Sequence, residues 1–439
     1  MKMIFKNLWN RRRGNLWLFI ELVLVAVLSW VIVDPVAVSV ADTSLPLGYD
    51  VDRLVIASFG SLPADAPGYD SRYDSIDDNR RAVDAVMAKI RNNPDVEQAC
   101  NLMGFNPIGS TTISNEQLFT GNDVMDVMPI NVVDYPLDEH FFETFGIGTA
   151  EGSLSPEELS RRPRGADPEV IISKEVGEIY WPGESAIGKR FLYKVNEETG
   201  DTLWRRVVAV ADGVRWQSMI RSACVSYRTV NDKDNHFPLR TYNVVIRLRD
   251  GIDKADFING LLASAQSDFR VGNFYLNTVG AYDELLFKTE DSNGVHAGRM
   301  LNYVLAFFFF INLVLGTVGC FWLQTRKRVE EIGVRRSFGA RRGRIVGMLV
   351  AESLTLATVA FIIGDLIYLQ WALKYGLDNG ADNNSMYFEV HNWVSSFPEH
   401  FIIVSAIVYA VIMLSVVAGT LIPAINASRV NVTDALRDE

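Results

Sequence analysis

The run Met300-Leu-Asn-Tyr-Val-Leu-Ala-Phe-Phe-Phe-Phe-Ile-Asn-Leu-Val-Leu-Gly-Thr-Val-Gly-Cys-Phe-Trp-Leu323 contains no Asp, Glu, Lys or Arg, and it leads into Gln324-Thr-Arg-Lys-Arg-Val-Glu-Glu-Ile-Gly-Val-Arg-Arg-Ser-Phe-Gly-Ala-Arg-Arg-Gly-Arg344. A bilayer core about 30 Å thick needs roughly 20 helical residues to cross it. The first part therefore reads as a membrane span and the second as a polar connection. Working outward, three more runs are long and apolar enough, which gives spans at 16–34, 300–324, 345–372 and 401–422. Their orientation follows from Lys and Arg, which stay on the cytoplasmic side. Lys2, Lys6, Arg11, Arg12 and Arg13 precede the first span, and Arg326, Lys327, Arg328, Arg335, Arg336, Arg341, Arg342 and Arg344 lie between the second and third. The connection at 373–400 offers only Lys374. The basic segment 1–15, the 325–344 loop and the tail 423–439 are thus expected inside, and residues 35–299 outside. Ser39-Val40-Ala41 would pass as a signal-peptide cleavage site. It lies well beyond the end of the apolar run, however, and Glu21 interrupts that run, so the run reads as a retained span.

Composition agrees with a chain partly in lipid: 49% of its 439 residues are hydrophobic, and the mean hydropathy is +0.10. A net charge of −11 excludes a nucleic-acid binder. Cys100, Cys224 and Cys320 form no metal-ligand spacing. An oxidising compartment would allow Cys100 and Cys224 to pair. Glu352 and Asp365 fall inside the third span, where an unpaired charge is costly, so both are expected to face protein or a wet cavity.

The outer segment reads as an α+β domain. Val51–Phe59 is rich in β-formers and precedes a helical pattern over Asp77–Asn92, with Ala82, Val83, Val86, Met87 and Ile90 on one stripe. Thr241–Leu248 repeats the theme, followed by a helix over Ala255–Ser267 and a strand near Phe274–Val279. This weak βαβ repeat assigns 35–110 and 236–285 to one subdomain, with 111–235 inserted as a strand-rich second one. Catalytic constellations are missing. The histidines at 140, 236, 296, 391 and 400 form no zinc pattern, and Gly183–Ile187 lacks the closing glycine of a nucleophile elbow. Gly183-Glu-Ser-Ala-Ile-Gly-Lys-Arg190 matches a phosphate loop except at its last position, where Arg190 replaces the hydroxyl that would ligate magnesium. It reads as a turn, and no cofactor is expected on this chain.

Three stretches carry a family resemblance. Val170-Ile-Ile-Ser-Lys-Glu-Val-Gly-Glu-Ile-Tyr-Trp-Pro-Gly-Glu-Ser-Ala-Ile-Gly-Lys-Arg190, with Arg206-Val-Val-Ala-Val-Ala-Asp-Gly-Val-Arg215, resembles the periplasmic core of MacB-type permeases. Arg328-Val-Glu-Glu-Ile-Gly-Val-Arg-Arg-Ser-Phe-Gly-Ala340, with Glu352 in the next helix, is similar to the FtsX-family signature. Pro423-Ala-Ile-Asn-Ala-Ser-Arg-Val-Asn-Val-Thr-Asp-Ala-Leu-Arg437 looks like that family's ending. The pattern departs from the family at Ala186, where a Pro is usual, and in a first span poorer in Gly and Thr.

The resemblance implies a bacterial inner-membrane permease subunit of an ABC transporter, working as a homo- or heterodimer. No Walker pair is present and the basic amino terminus is short, so ATP would be used by separate cytoplasmic ATPase subunits. In resembling proteins the helix between spans two and three docks on that ATPase. This assigns coupling to Arg328, Val329, Glu331, Ile332, Gly333, Arg335, Arg336, Gly339 and Ala340. On physical grounds, Glu331 and Arg335 form a favourable i,i+4 pair, Gly339 is a helix stop, and the stripe of Val329 and Ile332 needs a cover. Membrane lipid is the plainer cover, but it explains the arginines and not the Gly-Ala break. Export with a periplasmic adaptor and outer-membrane channel is the first functional expectation; lipoprotein release or control of a cell-wall hydrolase is the second. A membrane-bound ligand sensor would need a cytoplasmic output module, which neither the 325–344 loop nor the tail supplies.

Overall fold

The computed structural model describes residues 12–429 apart from 74, 103–106, 111–113, 120–126, 137–139, 153, 162–168, 196–201, 217, 219–223, 231–240, 266, 327 and 378–392. The basic segment before residue 12, most of the connection between spans three and four, and the Ala-Leu-Arg ending lie outside the described residues. The chain forms two compact units, Met1–Ala41 with His296–Gly380 and His391–Glu439, and Asp42–Val295 with Ala381–Val390.

The first unit is built on four long apolar helices, Arg12–Ser44, Val295–Arg326, Arg342–Tyr375 and Phe397–Ser428. The first continues ten residues past position 34, where hydropathy alone would end it. Pro35 removes one backbone donor, which a membrane helix tolerates, and Val36–Ala41 carry the apolar pattern on. Pro46 stops it, because the residue before a proline is pushed out of the helical region. Buried residues recur every fourth position: Leu18, Leu22, Ala26 and Trp30 on the first span, Leu313, Thr317 and Phe321 on the second, and Val404, Val408, Ile412 and Val416 on the fourth. Small residues set the closest approaches. A methyl on Gly364 would lie 2.6 Å from the Ala26 Cβ, and one on Gly419 would lie 2.7 Å from the Thr317 methyl. The rest of the second span faces outward, with Met300, Leu301, Phe307 and Phe308 more than half exposed. Lipid is the natural solvent for such a surface.

The second unit contains two sheets. Strands β1 (Leu54–Ser61), β2 (Val96–Asn101), β10 (Thr241–Leu248), β11 (Arg270–Val271) and β12 (Phe274–Ala281) form one sheet in the order β11-β12-β1-β10-β2. Each strand–helix–strand unit is split by a strand of the other, since β10 lies between β1 and β2 while β1 lies between β10 and β12. All these pairings are antiparallel. Alternation along β1 sends Val55, Ala57 and Phe59 to the core under helices Ile76–Arg91 and Lys254–Ala263, and Leu54 and Ile56 to the other face. Burial on both faces explains why β1 and β10 read as nearly continuous apolar runs.

The second sheet joins β3 (Ser114–Phe119), β4 (Val127–Pro136), β5 (Thr149–Glu151), β6 (Glu169–Ser173), β7 (Arg190–Val195), β8 (Thr202–Ala211) and β9 (Val225–Val230) in the order β3-β4-β9-β6-β8-β5, with β7 on β8. It meets the first sheet across a core containing Tyr135, Phe141, Phe142, Phe145, Trp216 and Tyr282. Arg215 is buried within this unit. Its guanidinium donates to the Asp42 and Leu45 carbonyls, each at 2.6 Å, and to that of Ser218. It thereby caps carbonyls at the end of the first long helix, which have no partner inside that helix. Burial, reinforced by Glu290, pushes the Tyr49 hydroxyl well above the ordinary tyrosine range. Cys100 and Cys224 are free thiols buried in different cores and do not pair.

Candidate functional site

The chain breaks between the second-span helix and the helix that follows it. The second-span helix ends at Arg326, and a separate helix covers Val329–Ser337, with Arg328 as its N-cap residue. Its end is a complete Schellman arrangement. The Gly339 amide donates to the Arg336 carbonyl at 3.0 Å and the Ala340 amide to the Arg335 carbonyl at 3.1 Å. Gly339 takes φ +86°, a left-handed conformation that only glycine adopts without strain.

The side chains assigned to coupling divide into inward and outward sets. Ile332 is buried against Ile345 and Leu349 of the third span and Ala424 and Ala427 of the fourth. The expectation that its stripe awaits an external cover is corrected here: the ends of the chain's own spans provide the cover. Hydropathic period located the stripe but could not say which surface would fill it. Arg328 also turns inward and forms an ion pair with Glu352, whose exposure is 6%. Arg336 donates to the Ser428 carbonyl at 3.1 Å. Arg335 bonds Glu331 at 2.8 Å, one turn away, and touches the Met348 sulfur. Gly333 is buried and Ala340 half-buried. The side chain of Val329 lies outside the described residues. What faces outward is Val334, at 42% exposure, and Phe338, at 87%, followed by exposed Arg341, Arg342 and Arg344. Phe338 was not singled out from the sequence, although a Phe directly before a helix-stopping glycine and flanked by arginines was the available signal.

Asp365, the second acid of the third span, accepts from the Trp30 indole N–H and from the Ser405 hydroxyl, each at 2.8 Å. It thus joins spans one, three and four, while Trp30 stacks between Tyr368 and Phe401. Two further intramembrane acids were not given roles from the sequence. Asp34 lies 2.6 Å from the His400 ring, both 1% exposed. Glu21 takes the Cys320 thiol at 2.8 Å. Each carboxylate found a polar partner on another helix, as the cost of an unpaired charge in lipid requires.

The phosphate-loop look-alike occupies a surface turn. Lys189 pairs with Glu184 and lies 5.9 Å over the Trp181 ring, and Gly183 and Gly188 adopt φ +76° and +78°. The Lys189 ammonium holds the Glu184 carboxyl below its usual range. No helix follows the turn; Arg190 begins β7 instead. A phosphate cradle needs a helix start at that point.

Residues 303–432 match the FtsX-like permease C-terminal family model. This chain is thus similar, in its carboxy-terminal part, to FtsX-like permeases, in line with the resemblance to MacB-type permeases. Among curated relatives, it is 23% identical over 314 residues to the macrolide export ATP-binding/permease protein MacB of Burkholderia thailandensis, covering 70% of this chain and 43% of that one. The protein of the same name from Chromobacterium violaceum is 30% identical over 162 residues, covering 36% and 22%. The chain spans less than half the length of these relatives. Among solved structures, the periplasmic region of MacB from Actinobacillus actinomycetemcomitans aligns with 12% identity and a TM-score of 0.30 over 55% of this chain and 94% of that one. Together with the family-model match, the four helices long and apolar enough to cross a membrane fit a multi-pass membrane protein.

Proposed function

We propose that this permease is the membrane subunit of an ABC-type complex in which a separate cytoplasmic ATPase drives motion of the periplasmic domain. The observation that carries this reading is the outward face of the interspan helix. Phe338 and Val334 stand exposed beside Arg341 and Arg342, while Ile332, the Arg328–Glu352 pair and Arg336 anchor the same helix to spans three and four. An exposed apolar knob on a firmly seated element suits a partner with an apolar pocket and an acidic rim. A fixed seat would pass any displacement of the knob into the spans. The apolar knob favours a protein partner over anionic headgroups, for which the arginines alone would suffice.

On this reading ATP is bound by the partner, this chain holds no cofactor, and two permease subunits work as a dimer. The work is done on the periplasmic side, as export of peptides, drugs or other substrates through an adaptor and an outer-membrane channel. The second reading within the class is lipoprotein release or control of a cell-wall hydrolase. The test is purification of the permease from its native membrane in mild detergent. A cytoplasmic ATPase should accompany the wild type in stoichiometric amount and be lost from Phe338→Asp, while the variant keeps the wild-type melting temperature. Absence of any ATPase from the wild-type complex would overturn the proposal.

A further inference from the structure

Between the first and second spans lies a groove of about 190 Å³. Its floor is the buried set Leu18, Leu22 and Leu313, it opens at the surface of the span pair beside exposed Asn312 and Gly316, and Glu21 stands on its wall. A methyl on Gly316 would lie 3.5 Å from the Glu21 Oε1, so the absent side chain helps keep space beside that oxygen. The carboxylates of the spans are not served alike. Glu352 has an arginine, Asp34 a histidine, and Asp365 an indole and a hydroxyl. Glu21 accepts from the Cys320 thiol at 2.8 Å, and a thiol is a weak donor. A carboxylate in hydrocarbon favours a positive partner, yet residues 16–34, 300–324, 345–372 and 401–422 contain no Lys or Arg. Neither this chain nor a second copy of it can bring one to Glu21 from within its spans.

We propose that this groove binds a small lipophilic amine, with its ammonium against Glu21 and its apolar body on Leu18, Leu22 and Leu313. An apolar cavity of about 150 Å³ takes a benzene ring, so the groove has room for a ring and a short ammonium arm. Glu21 lies about 8 Å along the helix from Leu16, at 1.5 Å per residue, which is deeper than the headgroups. A phospholipid ammonium comes with a phosphate, which would have to leave the interface and would meet Glu21 as a like charge. An amine without a phosphate is the better fit, and one dissolved in the bilayer reaches the groove from the side. The site is lined by spans one and two, so it stands whether or not an ATPase docks on the interspan helix.

The test is photolabelling of the purified protein in detergent with a benzylamine that carries a diazirine on its ring, beside the matching benzyl alcohol, with labelled positions mapped by mass spectrometry. The amine should label residues 18–25 and 309–317 about tenfold more than the alcohol, as a charge-assisted contact requires. Glu21→Gln should bring that ratio near one at an unchanged melting temperature, and Glu21→Asp should retain a preference. Gly316→Leu, which fills the groove and leaves the charge in place, should remove labelling there by both probes. Equal labelling by the two probes in the wild type, or an amine preference that survives Glu21→Gln, would overturn the proposal. So would two outcomes that name another occupant. Displacement of the amine by phosphatidylethanolamine but not by phosphatidylglycerol would assign the groove to a lipid headgroup, and loss of label on self-association would assign it to a second copy of the chain.

Discussion

The interspan helix offers two apolar side chains to mutate, and the structure gives them opposite consequences. Ile332 is 2% exposed and sits among Ile345, Leu349, Ala424 and Ala427. Truncating a buried Ile to Ala costs about 2–5 kcal/mol, and the small alanines opposite can close part of the cavity, so about 2–3 kcal/mol is expected. Phe338, at 87% exposure, contributes almost nothing to the isolated fold, and its removal should stay within about 0.5 kcal/mol. Docked into a pocket, a Phe buries at least about 150 Å². At about 25 cal/mol per Å² that is roughly 4 kcal/mol before ordering costs. A loss of about 2 kcal/mol on truncation would weaken ATPase binding about 30-fold. The assay measures two quantities on each variant, the melting temperature of the permease alone and its affinity for the ATPase. Ile332→Ala should lower the first, and Phe338→Ala only the second. If Phe338→Ala binds as tightly as the wild type while Ile332→Ala melts normally but fails to bind, the assignment of inward and outward faces is reversed.

Other outcomes follow from the same geometry. Glu352→Gln leaves Arg328 buried without its counter-charge and should cost about 3 kcal/mol, whereas Arg328→Met/Glu352→Met should fall within about 1 kcal/mol of the wild type in detergent-titration unfolding. Gly339→Val forces a β-branched residue into the left-handed region and should cost about 1–2 kcal/mol, with reduced ATPase recruitment; wild-type recruitment would show that the turn after the helix is immaterial. Lys189→Ala removes only an exposed pair, so the ATPase rate of the complete complex should not move, and a large fall would restore the Gly183–Arg190 turn to nucleotide chemistry. In intact cells a membrane-impermeant thiol reagent should label Leu262→Cys in the periplasmic domain and leave Phe338→Cys untouched, and the opposite pattern would invert the topology.

The architecture was legible where a periodic pattern had only one physical explanation. Apolar runs such as Met300–Leu323 admit lipid or a large core, and the arginines clustered after one run and not after the next decide between them. The paired strand–helix–strand pattern was visible because Ala82, Val83, Val86, Met87 and Ile90 share one helical stripe. The helix ends were less legible. Hydropathy measures the fit to lipid, whereas the first helix continues to Ser44 because backbone hydrogen bonding does not need lipid and Pro35 costs it a single bond. The interleaving of the two strand–helix–strand motifs, with β10 between β1 and β2, is a long-range pairing. Nothing local in the sequence encodes it.

The interspan segment is only half readable from its sequence. Its sequence specifies a helix, a Glu331–Arg335 pair and a glycine stop, all of which depend on neighbours within a few residues. Whether Ile332 faces a partner protein or its own spans depends on Ala424 and Ala427, some 90 residues later, being small enough to admit it. The pairing of Arg328 with Glu352 likewise depends on how the chain turns back between Gly339 and Arg342. Once those two side chains and Arg336 are committed inward, the helix has Val334 and Phe338 as its exposed apolar side chains among the described residues. An exposed Phe on an element that has already satisfied its own core is unfavourable unless something outside the chain covers it, and that residue, not the buried stripe, is where a partner has to be sought.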